Sequence, residues 1–453
     1  MVRATRIRIP ATFFVRFPAT LLAGLTGAWL GCCAHAATPP PAAPLSLAEL
    51  TALALHNNPD TTVAWSAVAQ SEAAERIARA GWWPTLTASY TGQRSRSVAS
   101  SGDEAPIQTR YGPSVSLSYL LFDFGARGGN IDQAAAERLA SQYNLNQTLQ
   151  DLALTVEANY YTVIGSRALV DANQQALDEA QANLDAARTR HDAGLATVAD
   201  VYQAESAAAA AQLTLQQTQG QLRIAEGALA ASAGYRPGTS LPLADWNPRA
   251  DHIAMPAQTL DELLARAASA RPELLAAQAG EQAAAGAVRA ARGSALPSLS
   301  VNASAGRTRI VDRGTGDPFS VGATLSVPLF QGFALKSAIR GARAALQGAR
   351  ASTDSLRLQV EQQVWVAYQN LQTAYGNVDA SRVQLESAQR AADAIRARYK
   401  NGLSSILEVL TTEAALAQAR VANVQSYLDW YLALATLAHD AGGLPAAADG
   451  AVP

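Results

Sequence analysis

The groups from which an enzyme or metal site would be assembled are few in this chain of 453 residues, and they lie apart. Five histidines, His35, His56, His191, His252 and His439, show no metal-ligand spacing, and neither an HExxH nor a GxSxG motif occurs. Lysine is found only at Lys336 and Lys400 with no GKS or GKT beside it, which excludes a P-loop. Cys32 and Cys33 are the two cysteines, so the body of the chain has neither a disulfide nor a thiolate metal site. Net charge is -2 and no basic patch is interleaved with aromatics, so nucleic acid is not an expected partner. No cofactor is expected, and an exported enzyme finds no supporting residues.

What remains is a pair of acids in matched settings. Asp200-Val201 follows Gly194-Leu195, and Glu408-Val409 follows Gly402-Leu403, at one offset of 208 residues. A carboxylate repeated around a narrow mouth favours cations and can hold a constriction through hydrogen bonds. On a solvated helix it does neither, so the elements that position the acids decide their meaning.

Those elements occur twice. Asn58-Pro59 leads through a helical run to Gly81-Trp82-Trp83-Pro84, and Arg271-Pro272 leads through a similar run to Ala295-Leu296-Pro297. Leu117 to Phe122 then matches Leu325 to Phe330, and Arg188 to Leu195 matches Arg396 to Leu403, both at the offset of 208. Matches that keep one offset over so long a stretch identify a duplication. Val115, Leu117, Tyr119 and Leu121 alternate with serines, as Val321, Ala323, Leu325 and Val327 do with small polar residues, which is the period of a strand. The expected strands cover about 85–93, 113–122, 298–308 and 319–329, forming two hairpins.

Between and after the hairpins the period changes to that of helices. Leu149, Val156, Val163, Val170, Leu177 and Leu184 recur every seven residues, and Val364, Leu371, Val378 and Leu385 repeat the ladder. These are packing positions of coiled-coil type. The run from Ala126 to Asp192 predicts one unbroken helix of about 100 Å at 1.5 Å per residue. Gly194 and Gly402 each supply the left-handed residue that ends a helix before an antiparallel partner begins. The chain thus divides into a first repeat over 37–233, a proline-rich linker over 234–258, a second repeat over 259–441 and a flexible tail over 442–453. About 100 residues are alanine, which suits long helices packed closely and not a thick globular core.

The first 36 residues carry Arg3, Arg6, Arg8 and Arg16, an apolar run from Ala19 to Cys33, and Ala34-His35-Ala36. This is the layout of a secretory signal peptide cleaved between Ala36 and Ala37, and its loss takes the net charge to -6. Lipidation of Cys32 or Cys33 is the competing reading, although Trp29-Leu30-Gly31 matches poorly the pattern such a site needs. No later stretch reaches the 18 or so apolar residues of a spanning helix. Four strands with one apolar face cannot close a barrel alone, because open edges in lipid leave backbone groups unpaired. Three copies would give about twelve strands and a water-filled lumen lined by the serine and threonine face.

This arrangement resembles the outer-membrane factor family, the TolC-type channel-tunnels. The resemblance covers roughly residues 45 to 440. It rests on the duplicated order and on Asn57-Asn58-Pro59, Leu121-Phe122-Asp123-Phe124-Gly125, Pro328-Leu329-Phe330-Gln331-Gly332 and Arg398-Tyr399-Lys400-Asn401-Gly402. It implies a mostly α fold with a transmembrane β-barrel contribution: a homotrimer with a twelve-stranded barrel in outer-membrane lipid and an α-helical tunnel in the periplasm. It also implies docking to a periplasmic membrane-fusion adaptor and an inner-membrane pump, with Gly194, Leu195, Gly402 and Leu403 at the contacted tips. Glu408 stands where the family often places a gate acid, with Asp200 as its counterpart and Tyr399 as a gate contact. Ser404 stands where an arginine can occur and Thr411 where a second acid can occur, so a double acid ring is not expected here. The function implied is a passive exit duct of a tripartite efflux system for small toxic compounds. The alternatives are a duct for type I protein secretion and a periplasmic coiled-coil scaffold without a pore.

Overall fold

The computed structural model describes residues 43–96, 107–244 and 253–443. The signal segment, Cys32, Cys33, the junction between Ala36 and Ala37, and most of the expected tail lie outside the described residues.

The duplication holds residue for residue in the helices. The first copy contains α1 (Leu47–Asn57), α2 (Pro59–Ala80), β1 (Thr85–Ser95), β2 (Gln108–Phe122), α3 (Ala126–Asp192) and α4 (Val198–Ser232). The second contains α5 (Leu260–Ala270), α6 (Pro272–Gly293), β3 (Ser298–Gly306), β4 (Thr308–Ile310), β5 (Gly314–Gly316), β6 (Phe319–Ser326), α7 (Ala334–Lys400) and α8 (Ile406–Asp440). Helices of 11, 22, 67 and 35 residues thus appear twice in the same order.

The local causes are legible. Capping boxes start α1 (Ser46 with Glu49), α5 (Thr259 with Glu262) and α4 (Thr197 with Asp200), each carboxylate returning to the cap residue's backbone N–H. The expected strand 319–329 stops at Ser326, just before Pro328, which has no N–H to donate to a ladder. The expected strand 298–308 breaks after Gly306, and a short β4–β5 hairpin fills the loop before β6.

Each copy builds its own core. Val156, Tyr160, Val163 and Leu229 of α3 and α4 pack with Leu50 of α1, and Val364, Leu371, Val378 and Trp430 of α7 and α8 pack with Leu263 of α5 and Leu274 of α6. Every such aliphatic side chain contributes about 1.5–3 kcal/mol on burial. Within the heptad ladder Val156, Val163, Leu177, Val364, Leu371 and Val378 are buried, while Leu149, Val170, Leu184 and Leu385 are half-buried. Tyr161 stacks on Tyr431 at 5.2 Å between centroids and joins the two cores. The two prolines follow matched clamps: Asn58 donates to the Ser232 carbonyl at the end of α4, and Arg271 donates to the Asp440 carbonyl at the end of α8. The segment read as a linker is packed where it is described: Leu241 and Leu243 are buried, and Leu45 N–H donates to the Pro242 carbonyl.

Close approach also matters. A Cβ on Gly129 of α3 would meet the backbone nitrogen of Ala290 of α6 at 2.3 Å, and one on Gly286 would meet that of Gln133 at 2.6 Å. The crossing of α3 and α6 therefore needs glycine on both sides.

At the end of α8, the His439 ring contacts Asp151 of α3 at 2.9 Å and Asp440 at 3.0 Å, while Arg271 also donates to Asp440. Burial disfavours the charged ring and Arg271 opposes it, but the two carboxylates outweigh them and raise its pKa to about 9. A raised folded-state pKa gives stability that is complete below the ordinary value of about 6.5 and is lost as pH climbs through about 9. Thermal midpoints of the purified protein should therefore fall between pH 6.5 and 9.5 by more than those of His439→Gln; parallel curves would refute the assignment.

Candidate functional site

Three regions follow from these elements. The first is the sheet. β2 pairs β1 on one side and β3 and β4 on the other, and β3 pairs β6, all antiparallel. The register aligns Leu86, Leu117, Ala303 and Val321 in one row and Ala88, Val115, Ala305 and Phe319 in the next. The other face carries Thr87, Ser116, Ser304 and Ser320, then Thr85, Ser118, Asn302 and Gly322. Hydroxyls pair along it, Ser89 with Ser114 and Ser304 with Ser320, each at 2.9 Å. The apolar rows are exposed in the single chain except at the half-buried Leu117 and Ala303, with Val321 at 75 % and Phe319 at 82 %. A continuous exposed apolar face beside a hydroxyl face is the pattern of strands set between lipid and water. Among the described residues β1 and β6 have no partner on their outer edges.

The second region is the junction of sheet and helices, and sequence reasoning missed its function. Phe124 and Gly125 turn the chain from β2 into α3 with φ of 50° and 90°. Asp123 accepts from the backbone N–H of Gly125 and, at 2.7 Å, of Arg127. The buried Arg127 guanidinium then donates to the carbonyls of Leu120 (2.7 Å), Gly81 (3.0 Å) and Leu121 (3.2 Å) and to the Asp123 carboxylate (3.3 Å), and lies 4.2 Å from the Trp82 ring centroid. One side chain thus ties the end of β2, the start of α3 and the turn after α2. The signal was Asp123 four residues before Arg127, just after the alternating run. Trp82, Trp83, Phe122, Phe124, Phe330 and Phe333 are exposed at this same end of the sheet, where aromatic rings favour a membrane–water boundary.

The third region is the pair of helix turns. Gly194 and Gly402 have φ of 72° and 75°. Leu195 N–H donates to the Arg190 carbonyl and Leu403 N–H to the Arg398 carbonyl, closing Schellman motifs. In such motifs the residue after the glycine commonly packs on an apolar residue one turn back. Here arginine holds that place in both copies, and Leu195 and Leu403 remain 68 % exposed. The turns adjoin, because Arg190 donates to the Tyr399 carbonyl at 2.9 Å and its guanidinium lies 4.8 Å from the Tyr399 ring centroid.

No helix among the described residues is long and apolar enough to cross a membrane. Residues 50–235 and 263–443 match the family model for the outer membrane efflux protein. The chain belongs to the outer membrane efflux protein family. It is an outer-membrane protein with periplasmic helices, the outer-membrane component of an efflux pump. Relatives include the outer membrane efflux protein BepC of Brucella suis, 26 % identical over 82 % of this chain and 79 % of that one. Protein CyaE of Bordetella pertussis is 30 % identical over 85 % of this chain and 82 % of its own. The outer membrane protein VceC of Vibrio cholerae shares the fold, with a TM-score of 0.77 at 21 % identity over 88 % of this chain and 96 % of that one.

In this efflux protein the acids serve first as helix caps. Glu408 is the third residue of α8, its N–H donating to Ser405 and its carboxylate accepting from Ser404 at 2.5 Å and Ser405 at 3.2 Å. The Ser404 and Ser405 hydroxyls hold it below its ordinary pKa. Asp200 closes a full capping box with Thr197, accepting from its backbone N–H at 2.8 Å as well as from its hydroxyl. Thr411 is exposed and its hydroxyl donates to the Leu407 carbonyl. Tyr399 faces inward: it packs with Ile406 and Val409, and its hydroxyl is buried without a hydrogen bond, so burial raises its pKa. The sequence also did not show the ion network above the tips, where Arg420 of α8 is bidentate to Glu179 of α3 (2.8 and 2.9 Å) and Arg396 of α7 pairs with Glu413 of α8 (2.6 Å).

Proposed function

We propose that this chain forms a homotrimeric, passive exit duct without enzymatic activity. Three copies give a twelve-stranded barrel in the outer membrane and a helical tunnel in the periplasm, through which small toxic compounds leave. The observation that carries this reading is the register: β1, β2, β3 and β6 gather Leu86, Leu117, Ala303, Val321, Ala88, Val115, Ala305 and Phe319 on one face and a run of serines and threonines on the other, while among the described residues both outer edges lack partners. In lipid each unpaired edge group costs several kcal/mol, so β1 of one copy must meet β6 of the next. Purified protein should be a detergent-soluble trimer that forms stable channels in planar bilayers. A detergent-independent monomer without conductance would refute the duct and support a scaffold.

Energy comes from an inner-membrane pump, joined through a periplasmic adaptor at the tips. The exposed Leu195 and Leu403 are the proposed anchors, since apolar residues at the centre of a contact carry most of its energy. Leu195→Asp with Leu403→Asp should abolish drug efflux in cells while leaving trimer and bilayer conductance unchanged; full efflux would remove the tips from the docking surface.

Three copies of Glu408 would form a ring at the tunnel mouth, with Asp200, Tyr399 and Thr411 beside it. An ionised ring favours cations. Glu408→Gln keeps the cap's hydrogen bonding but removes the charge, so cation preference should fall with little loss of stability. Unaltered selectivity would leave Glu408 as a helix cap alone.

A further inference from the structure

Helices α2, α3, α6 and α7 all join the sheet at one end. The opposite end has a different chemistry. Its described residues carry Arg94, Arg96, Arg110, Arg307, Arg309 and Arg313 against Asp312 and Asp317, in a chain whose net charge is -2. The adjoining stretch 97–106, outside the described residues, adds only Asp103 and Glu104.

The register sorts these arginines by face. Leu86, Ala88 and Tyr90 lie on the apolar side of β1, and Arg94 continues that alternation two steps beyond Tyr90. Arg309 of β4 is opposite Tyr111, which is opposite Gly92, so it shares this side. Arg307 follows the same alternation from Ala303 and Ala305 and is paired with Asp317 at 2.8 Å. Arg110 is on the hydroxyl side, where it donates to Gln108. Arg94 and Arg309 are exposed, and among the described residues neither forms an ion pair. They stand two strand spacings and two residues of rise apart, about 12 Å.

We infer that Arg94 and Arg309 hold the phosphates of an anionic lipid in the outer leaflet, just outside the apolar band. Guanidinium recognises phosphate with paired hydrogen bonds and sheds its hydration more readily than ammonium, which suits the edge of a lipid phase. Tyrosine between the apolar rows and the arginines is the usual boundary residue. A soluble anion passing through the lumen would meet Arg110 and not these two. Since the sheet end opposite the helices faces the cell exterior, the ligand is a phosphorylated glycolipid of that leaflet. The inference rests on the barrel reading above.

The full-length protein, reconstituted in phosphatidylethanolamine nanodiscs with lipid A, tests it. Wild-type protein should retain diphosphorylated lipid A and release the dephosphorylated form. The variant Arg94→Gln with Arg309→Gln should bind about 30-fold more weakly, equivalent to about 1 kcal/mol per arginine at a charged lipid surface. Arg110→Gln should bind as wild type does, and inorganic phosphate should not compete. Equal retention by the double variant, or indifference to the lipid phosphates, would overturn the inference even where bilayer channels form normally. Wild-type protein that forms no channels would instead overturn the barrel reading on which it rests.

Discussion

Arg127→Met lowers the stability of the purified protein by about 3–5 kcal/mol, the expected cost of removing one partner from a buried ion pair. The substitution keeps an unbranched side chain of similar length, so lost packing contributes little. It leaves the Asp123 carboxylate buried without its guanidinium and takes a donor from three carbonyls, those of Gly81, Leu120 and Leu121. Those three carbonyls belong to exposed or half-buried residues, so water replaces part of what they lose and the stranded carboxylate dominates the cost. Thermal or denaturant unfolding of the detergent-solubilised protein measures the effect. Adding Asp123→Asn should recover part of it, since the stranded charge is then gone. A midpoint for Arg127→Met within experimental error of the wild type would show that the clamp contributes nothing. In the second copy Gln331 stands where Asp123 stands in the first, so the matching junction has no such clamp and should tolerate substitution better.

Val321→Arg prevents assembly in the outer membrane, whereas Ser320→Arg one residue away permits it. Both residues are exposed on β6, and in water either arginine would be harmless. In the proposed trimeric barrel Val321 would face lipid, where arginine near the midplane costs about 2–4 kcal/mol per copy. Three copies would multiply the penalty. Ser320 would face the lumen of that barrel, so its arginine would be hydrated and would alter conductance and ion preference. The yield of heat-stable trimer in outer-membrane fractions, followed by single-channel recording, separates the two. Equal yields would mean that β6 does not meet lipid.

The order of elements was readable because it is written locally. Period two marked the strands, period seven marked the helix seams, and a glycine after a basic turn marked each tip. The constant offset of 208 residues, visible in short matches, becomes helices of equal length in both copies. The capping boxes of Ser46 with Glu49 and Thr259 with Glu262 were equally local signals for α1 and α5, which the heptads and strands overshadowed.

The sites divide differently. The exposure of Leu195 and Leu403 was legible from sequence because the turn itself presents them. The roles of Glu408 and Asp200 were less so: an acid at the third position of a helix closes a cap whether or not it also faces a pore. The resemblance implies a gate contact at Tyr399, and the packing of α3 against the second hairpin places its ring under Arg190.

What the sequence by itself determined is every property set by neighbours a few residues apart: the faces of the strands, the lengths of the helices and the turns between them. Only the tertiary structure decided the strand register that aligns four apolar faces, the Arg127 clamp, the glycine crossing of α3 and α6, and the link from Glu179 to Arg420. The physical reason is range. Periodicity and capping are fixed by backbone geometry within one element, whereas those contacts depend on the relative placement of elements that lie far apart in the chain or turn sharply into one another.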